Sequence, residues 1–147
     1  MKLTVASVRT GRLPWADEAC AEWAKRIQRH FPFDERAIRP TDAEAEAEVL
    51  LGMVGRRDRL IVFDERGEDL DSPGLAAVLE RCAQDGVGTL VCAIGGAYGH
   101  APRVRERAWK VLRLSRFVLA HAVARVVVVE QLYRACTIRK GEPYHHA

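Results

Sequence analysis

The apolar run Leu90 to Ile94, which opens directly onto Gly95-Gly96-Ala97-Tyr98-Gly99, constrains the fold of this chain more than any other stretch. A short continuous apolar run bounded by glycines reads as a buried strand. Such a strand needs apolar cover on both faces, which a mainly parallel sheet flanked by helices provides. The glycines lack the Cβ that would block a tight turn or the close approach of another group, so the loop can form the wall of a ligand pocket. Equally, it can be a plain strand-to-helix turn, with Pro102 in the first turn of the following helix. A dinucleotide fingerprint is a poor match: the glycines fall as GGxxG, and no acidic residue ends a further strand about 20 positions on. No Walker-type Lys-Ser/Thr pair is present either.

The rest of the chain repeats the strand–helix alternation. Leu3 to Val8 alternates and is rich in β-branched residues, as a first strand should be. After a turn over Gly11 to Pro14, Ala16, Cys20, Trp23 and Ile27 recur at helical spacing, with Asp17 and Glu18 in the first turn, and the helix ends near His30. Phe33 to Arg39 is a weakly patterned second strand. Thr41 to Glu44 reads as a capping box that opens a helix running to about Val54, with Gly55 as its stop. Leu60 to Phe63 is an apolar strand followed by Asp64-Glu65-Arg66-Gly67, a polar loop where open α/β sheets place ligands. Ser72-Pro73 starts a helix whose Leu75, Val78, Leu79 and Cys82 share one face. The expected fold class is α/β, an open, mainly parallel sheet with helices on both faces.

The segment from His121 to Thr137 is ambiguous, since Val126 to Val129 favours a strand on propensity. Its length and the spacing of Leu119, Val123, Val126, Glu130 and Tyr133 predict a helix instead. On that helix His121 and Arg125 lie one turn apart, as do Glu130 and Arg134. Arg125 and Arg134 project from opposite sides, half a revolution apart.

At 147 residues the chain is long enough to bury roughly two-thirds of its unfolded surface as one domain, residues 1–147. A net charge of +3 permits an RNA partner without demanding one. The four cysteines, Cys20, Cys82, Cys92 and Cys136, show no CxxC or Cys/His spacing, so they read as buried residues of a reducing compartment and not as metal ligands. No apolar stretch approaches a membrane span or a signal-peptide core, so a cytoplasmic protein is expected, with no membrane partner.

IGGAYG at Ile94 to Gly99, LSRFVLAH at Leu114 to His121, and VEQLYRA with the trailing GEPYH carry a resemblance to one family. That family is the small SPOUT-class methyltransferases, which modify N3 of a pseudouridine in large-subunit (23S) ribosomal RNA. FDERG at Phe63 to Gly67 and the opening KLTVASV extend the likeness over nearly the whole chain. The resemblance implies S-adenosylmethionine as cofactor, a homodimer, 23S rRNA in the ribosome as partner, and a C-terminal trefoil knot, which general topology rules would not suggest. Cofactor contacts would fall on Phe63, Gly95, Gly96 and Leu114, Ser115, Arg116, Phe117, Val118 and Leu119, largely through backbone groups. Catalysis would draw on Tyr144, His145, Arg134 and His121, and RNA contacts on Arg125, His146 and Arg103. No metal is implied.

Three positions depart from the family pattern. Val118 stands where Thr is usual, Ala120 where Pro precedes the His, and His146 where a basic Lys or Arg follows Tyr-His. A histidine there makes any contact from that position dependent on pH. Two other readings stay open: a catalytically silent RNA-binding or ribosome-binding dimeric module, and a methyltransferase with a different RNA substrate. Arg103, Arg105, Arg107 and Lys110 fit either a solvated helix face or an RNA patch, and the last residues fit a frayed end as well as a site.

Overall fold

A computed structural model describes residues 1–146; Ala147, at the end of the tail discussed above, lies outside the described residues. Ten elements follow in order: β1 (Lys2–Val8), α1 (Pro14–Ile27), β2 (Phe33–Ile38), α2 (Ala43–Gly52), β3 (Arg59–Asp69), α3 (Ser72–Gln84), β4 (Thr89–Ile94), α4 (Pro102–Arg107), β5 (Lys110–Arg113) and α5 (His121–Lys140). The strands form one parallel sheet in the order β2-β1-β4-β3-β5. The side-chain period of two sorts each strand's residues onto opposite faces. Leu3, Val5, Ile61, Leu90, Cys92 and Leu112 meet α1, α3 and α5 on one face. Ala6, Val8, Leu60, Val62, Val91 and Ala93 meet α2 and α4 on the other. Burial on both sides explains why Leu60 to Phe63 and Leu90 to Ile94 read as apolar runs and not as alternation.

The α5 segment is helical despite its four valines. It packs between α1 and α3, and Val128, Val129, Leu132, Ala135 and Cys136 are buried there. Each fully buried aliphatic side chain contributes about 1.5–3 kcal/mol, more than the few tenths by which valine disfavours a helix. All four cysteines are free and buried, and burial pushes the Cys92 and Cys136 thiols up to about 12.

Four local expectations change. The cap of α2 is Asp42, not Thr41: its carboxylate accepts from Ala45 N at 2.8 Å, while Glu46 reaches back to Thr41 N at 3.2 Å. The cap of α3 is Asp71, which accepts from Gly74 N at 2.8 Å; Ser72 is already helical and donates to Gln131 on α5. Both shifts place an acidic side chain at the positive end of a helix, where its charge adds to the hydrogen bond. Asp64 to Gly67 lies within β3 and not in a loop after it. The ladder to β5 breaks there, because Phe63 and Glu68 both pair with Leu112, so the residues between them bulge out of the strand. Gly67 makes the bulge possible, since a Cβ on it would sit 2.4 Å from the Leu112 carbonyl carbon. Finally, the edge strand β5 was not legible: it is four residues long and a cation stands at each end.

Candidate active site

The carboxyl ends of β3, β4 and β5 open into a cavity of about 380 Å3, within the range of small-molecule sites. Its floor begins where β4 ends. The Gly95–Gly99 segment doubles back, Gly99 N donating to Gly96 O at 3.0 Å, with Gly99 at φ 74°. A Cβ on Gly95 would lie 3.0 Å from the Gly99 carbonyl carbon and 3.2 Å from the His100 ring, so this hairpin closes only around a bare backbone. The β3 bulge supplies a second wall. Residues 114–119, between β5 and α5, supply a third; Ser115 Oγ accepts from Phe117 N at 2.9 Å and turns that segment. The first turn of α5 closes the ring with His121 and Ala124.

Charge inside the cavity is organised by Asp64, whose side chain is only 8% exposed. It accepts from Arg66 N at 2.9 Å and faces Arg105 Nη1 at 3.5 Å, and Arg105 also donates to the His100 carbonyl at 2.7 Å. Burial holds the His100 imidazole below the usual histidine range, against the opposing pull of Asp64 and of the Ala93 and Phe63 carbonyls. The ring is therefore neutral at pH 7. Its Nε2 and that of His121 are buried and, among the described residues, have no hydrogen-bond partner. Orphaned polar atoms beside a cavity mark a place where a ligand or water completes the bonding. An S-adenosyl group fits this lining. Phe63, Ile94, Leu114 and Leu119 suit a flat apolar ring, loop amides and carbonyls its polar edge, and Asp64 and Glu65 the cationic end. Of the residues expected to hold the cofactor, Phe63, Gly95, Gly96, Leu114, Ser115, Phe117, Val118 and Leu119 all line the cavity, with His121 beside them. Arg116 does not; its guanidinium points outward and meets Asp69 at 3.4 Å.

The tail residues gather elsewhere, around the other half of α5. Tyr144 Oη accepts from Trp23 Nε1 at 3.3 Å and donates to Glu130 Oε1 at 3.0 Å. Arg134 donates to the same Glu130 oxygen at 2.6 Å, lies 4.8 Å over the Tyr144 ring, and sits 3.3 Å from His145 Nδ1. Burial, together with the bond to Glu130 and against that to Trp23, raises the Tyr144 phenol, which stays protonated at neutral pH. Since arginine can only donate, His145 accepts at Nδ1, which places its ring proton on Nε2. His146 is exposed. Tyr144 is thus docked against α1 and α5, and His145 against Arg134 of α5. Along the helix, His121 and Arg134 are separated by roughly 20 Å at 1.5 Å per residue, so the cavity and the tail cluster of one chain stand well apart.

Two of the expected RNA contacts are engaged within the chain. Arg125 is only 5% exposed; it forks onto Glu35 at 2.8 and 3.0 Å and reaches Asp17 at 2.6 Å, so it ties α5 to β2 and α1 and is not available to a phosphate. Burial alone would lower its pKa, and the bonds to Glu35 and Asp17 outweigh that and raise it. The Arg125 expected to contact RNA is instead part of a buried ion-pair network. Arg103 clamps α4 to α2 through Glu44 and Glu48 at 3.0 and 3.1 Å. Sequence reasoning passed over His100 as a site residue, although it follows the glycine loop directly, and weighed Arg105 only as part of a solvated helix face or an RNA patch.

The family described as "Predicted SPOUT methyltransferase" matches residues 1–145. The chain is 44% identical over 153 residues to "Ribosomal RNA large subunit methyltransferase H" of Geobacter sulfurreducens, covering 99% of this chain and 100% of the relative. It is 42% identical over 154 residues to the protein of that name from Geobacter metallireducens, covering 100% of both, and 39% identical over 153 residues to that of Geotalea uraniireducens, covering 99% and 100%. With the parallel sheet, the glycine-floored cavity and this likeness along its whole length, the chain belongs to the SPOUT methyltransferase family.

Proposed function

We propose that this protein methylates N3 of a pseudouridine in large-subunit ribosomal RNA, using S-adenosylmethionine and acting as a homodimer. The observation that carries the reading is the cavity at the strand ends, walled by the two segments, 95–99 and 114–119, on which the family likeness is most specific. Residues 1–147 work as one domain. The family's trefoil knot belongs to the reading too, supported by the way α5 returns from the edge strand β5 to pack between α1 and α3.

The cofactor, when bound, supplies a methyl group on a positively charged sulfur. The chain holds it through the backbone of Gly95, Gly96 and residues 114–119, and excludes water with Phe63, Ile94 and Leu119. Transfer replaces an N3–H bond by N3–CH3 and releases one proton, so negative charge develops on the uracil oxygens as that proton leaves. Arg134 and the Nε2–H of His145 are donors placed to stabilise it, with Tyr144 and Glu130 fixing their orientation. Methyl donor and acceptor must come within about 3 Å. One chain keeps the two groups far apart, so a second copy brings its tail to the cavity of the first, and the site is incomplete without it. His121 stays with the cavity as a cofactor-side group, and His146 faces solvent for RNA contact.

Titration calorimetry with S-adenosylmethionine, followed by methyl transfer to ribosomes that lack the modification, tests the reading. Binding with transfer to a single pseudouridine is the expected result. Binding without transfer would mean another RNA, and no binding would favour a catalytically silent RNA-binding module.

A further inference from the structure

The mouth of the cavity carries a feature that holding a methyl donor does not explain. Tyr98, at the tip of the glycine hairpin, is 90% exposed, and Phe117, at the tip of the 114–119 segment, is 84% exposed, yet both line the cavity. They come from different loops, one after β4 and one between β5 and α5. Neither ring packs on the core, so neither stabilises the fold, and burying either would release apolar surface from water. Three guanidinium groups, those of Arg66, Arg105 and Arg113, line the same cavity against the two carboxylates of Asp64 and Glu65. Arg66 is exposed and, among the described residues, has no carboxylate partner, and Arg116 stands just outside with its side chain 83% exposed.

Exposed rings beside guanidinium groups at the entrance of a group-transfer site suit one kind of occupant, an unstacked base of a polyanion. Every nucleobase offers a π face to an aromatic ring, and the phosphate on either side of it suits Arg66 and Arg116. A base must also leave its helical stack before a group buried behind a rim can reach its edge. Resting on the RNA reading above, we propose that Tyr98 and Phe117 form a stacking platform that receives the target nucleobase, or its neighbour, at the mouth of the methyl-donor cavity, with Arg66 and Arg116 holding the adjoining phosphates. The platform sets substrate affinity and not the chemistry itself.

Three measurements on the full-length protein test this. Tyr98→Ala and Phe117→Ala raise KM for unmodified ribosomes about tenfold or more, the scale of losing one base stack. Affinity for S-adenosylmethionine by calorimetry stays at the wild-type level in Tyr98→Ala, whose ring is 90% exposed at the hairpin tip. Tyr98→Phe, which keeps the π face, restores the wild-type KM. Equilibrium binding of a fluorescent pseudouridine-containing RNA hairpin, with S-adenosylhomocysteine present, weakens in parallel in the two alanine variants. An unchanged KM and unchanged hairpin binding in both would overturn the platform. Loss of the dimer by analytical ultracentrifugation in either would overturn it too, since the rings would then serve contact between copies. If the wild-type protein binds its cofactor but methylates no ribosomal RNA, the function proposed above fails on its own. The platform is then judged by hairpin binding, which the alanine variants must weaken for it to stand.

Discussion

The two ends of α5 differ in how far the chain satisfies itself. At the amino end, around His121, the cavity leaves two imidazole nitrogens buried without partners among the described residues, and exposes Tyr98, Phe117 and Val118 almost fully. At the carboxyl end, Glu130, Arg134, Tyr144 and His145 complete one another's hydrogen bonds, with Trp23 as a further donor. The first end is lined by groups that a ligand can satisfy; the second is already organised by its own side chains. In the function proposed above, the unsatisfied groups at the cavity and the preorganised donors at a distance are the two halves of a transfer site. In this fold one helix holds them apart.

The largest expected effect lies between the two ends. Arg125→Ala leaves Glu35 and Asp17 as unpaired carboxylates where α5, β2 and α1 meet, and should destabilise the fold by about 3–5 kcal/mol, read from the urea midpoint. A loss below 1 kcal/mol would mean that α5 is held by its apolar face alone. Next comes the organised end. Arg134→Ala removes a donor and the orientation of His145, and should lower kcat about a hundredfold while leaving the affinity for S-adenosylmethionine intact. If affinity fell instead, the two ends would not be separable.

The open end responds in the opposite sense. Gly95→Val forces a side chain against the Gly99 backbone and the His100 ring, and should weaken cofactor binding about tenfold or more with the tail cluster undisturbed. Calorimetry, with far-UV circular dichroism as the check on folding, decides it. The smallest effect is a pH dependence. Because His100 is held below its unfolded value of about 6.5, the unfolded chain takes up the proton first as pH falls. Its contribution to stability is therefore fully present above that pH and is lost below it, at no more than about 1.4 kcal/mol per pH unit. His100→Leu should flatten the unfolding midpoint between pH 6.5 and 5 relative to wild type. An identical slope in the two proteins would remove His100 from the account.

The same contrast explains what the sequence revealed. The amino-end site was legible because its signals are local: an apolar run, a glycine turn, and a family motif in each wall. Helix α5 was legible because its length and spacing outweighed the preference of four valines. Asp42 and Asp71 were missed as caps because Thr41 and Ser72 offered equally good local patterns, and only the backbone conformation separates them. The burial of Arg125 was not readable, since its partners Asp17 and Glu35 lie 108 and 90 residues away in sequence. Nor was the orphaned Nε2 of His100 readable, because a missing bond leaves no trace in a sequence.

In the proposed function the cavity of one copy works with the tail of another, and mixed dimers report on that pairing. A chain carrying Gly95→Val and a chain carrying Arg134→Ala, which at subsaturating S-adenosylmethionine keep about a tenth and about a hundredth of wild-type activity alone, would be co-expressed with different tags, and methyl transfer to unmodified ribosomes measured at that concentration. If cavity and tail meet across a two-fold interface, half the random dimers are mixed and each holds one complete site, so activity should recover to about a quarter of wild type. Activity no higher than that of either variant alone would contradict the account and place both halves of the site within a single chain.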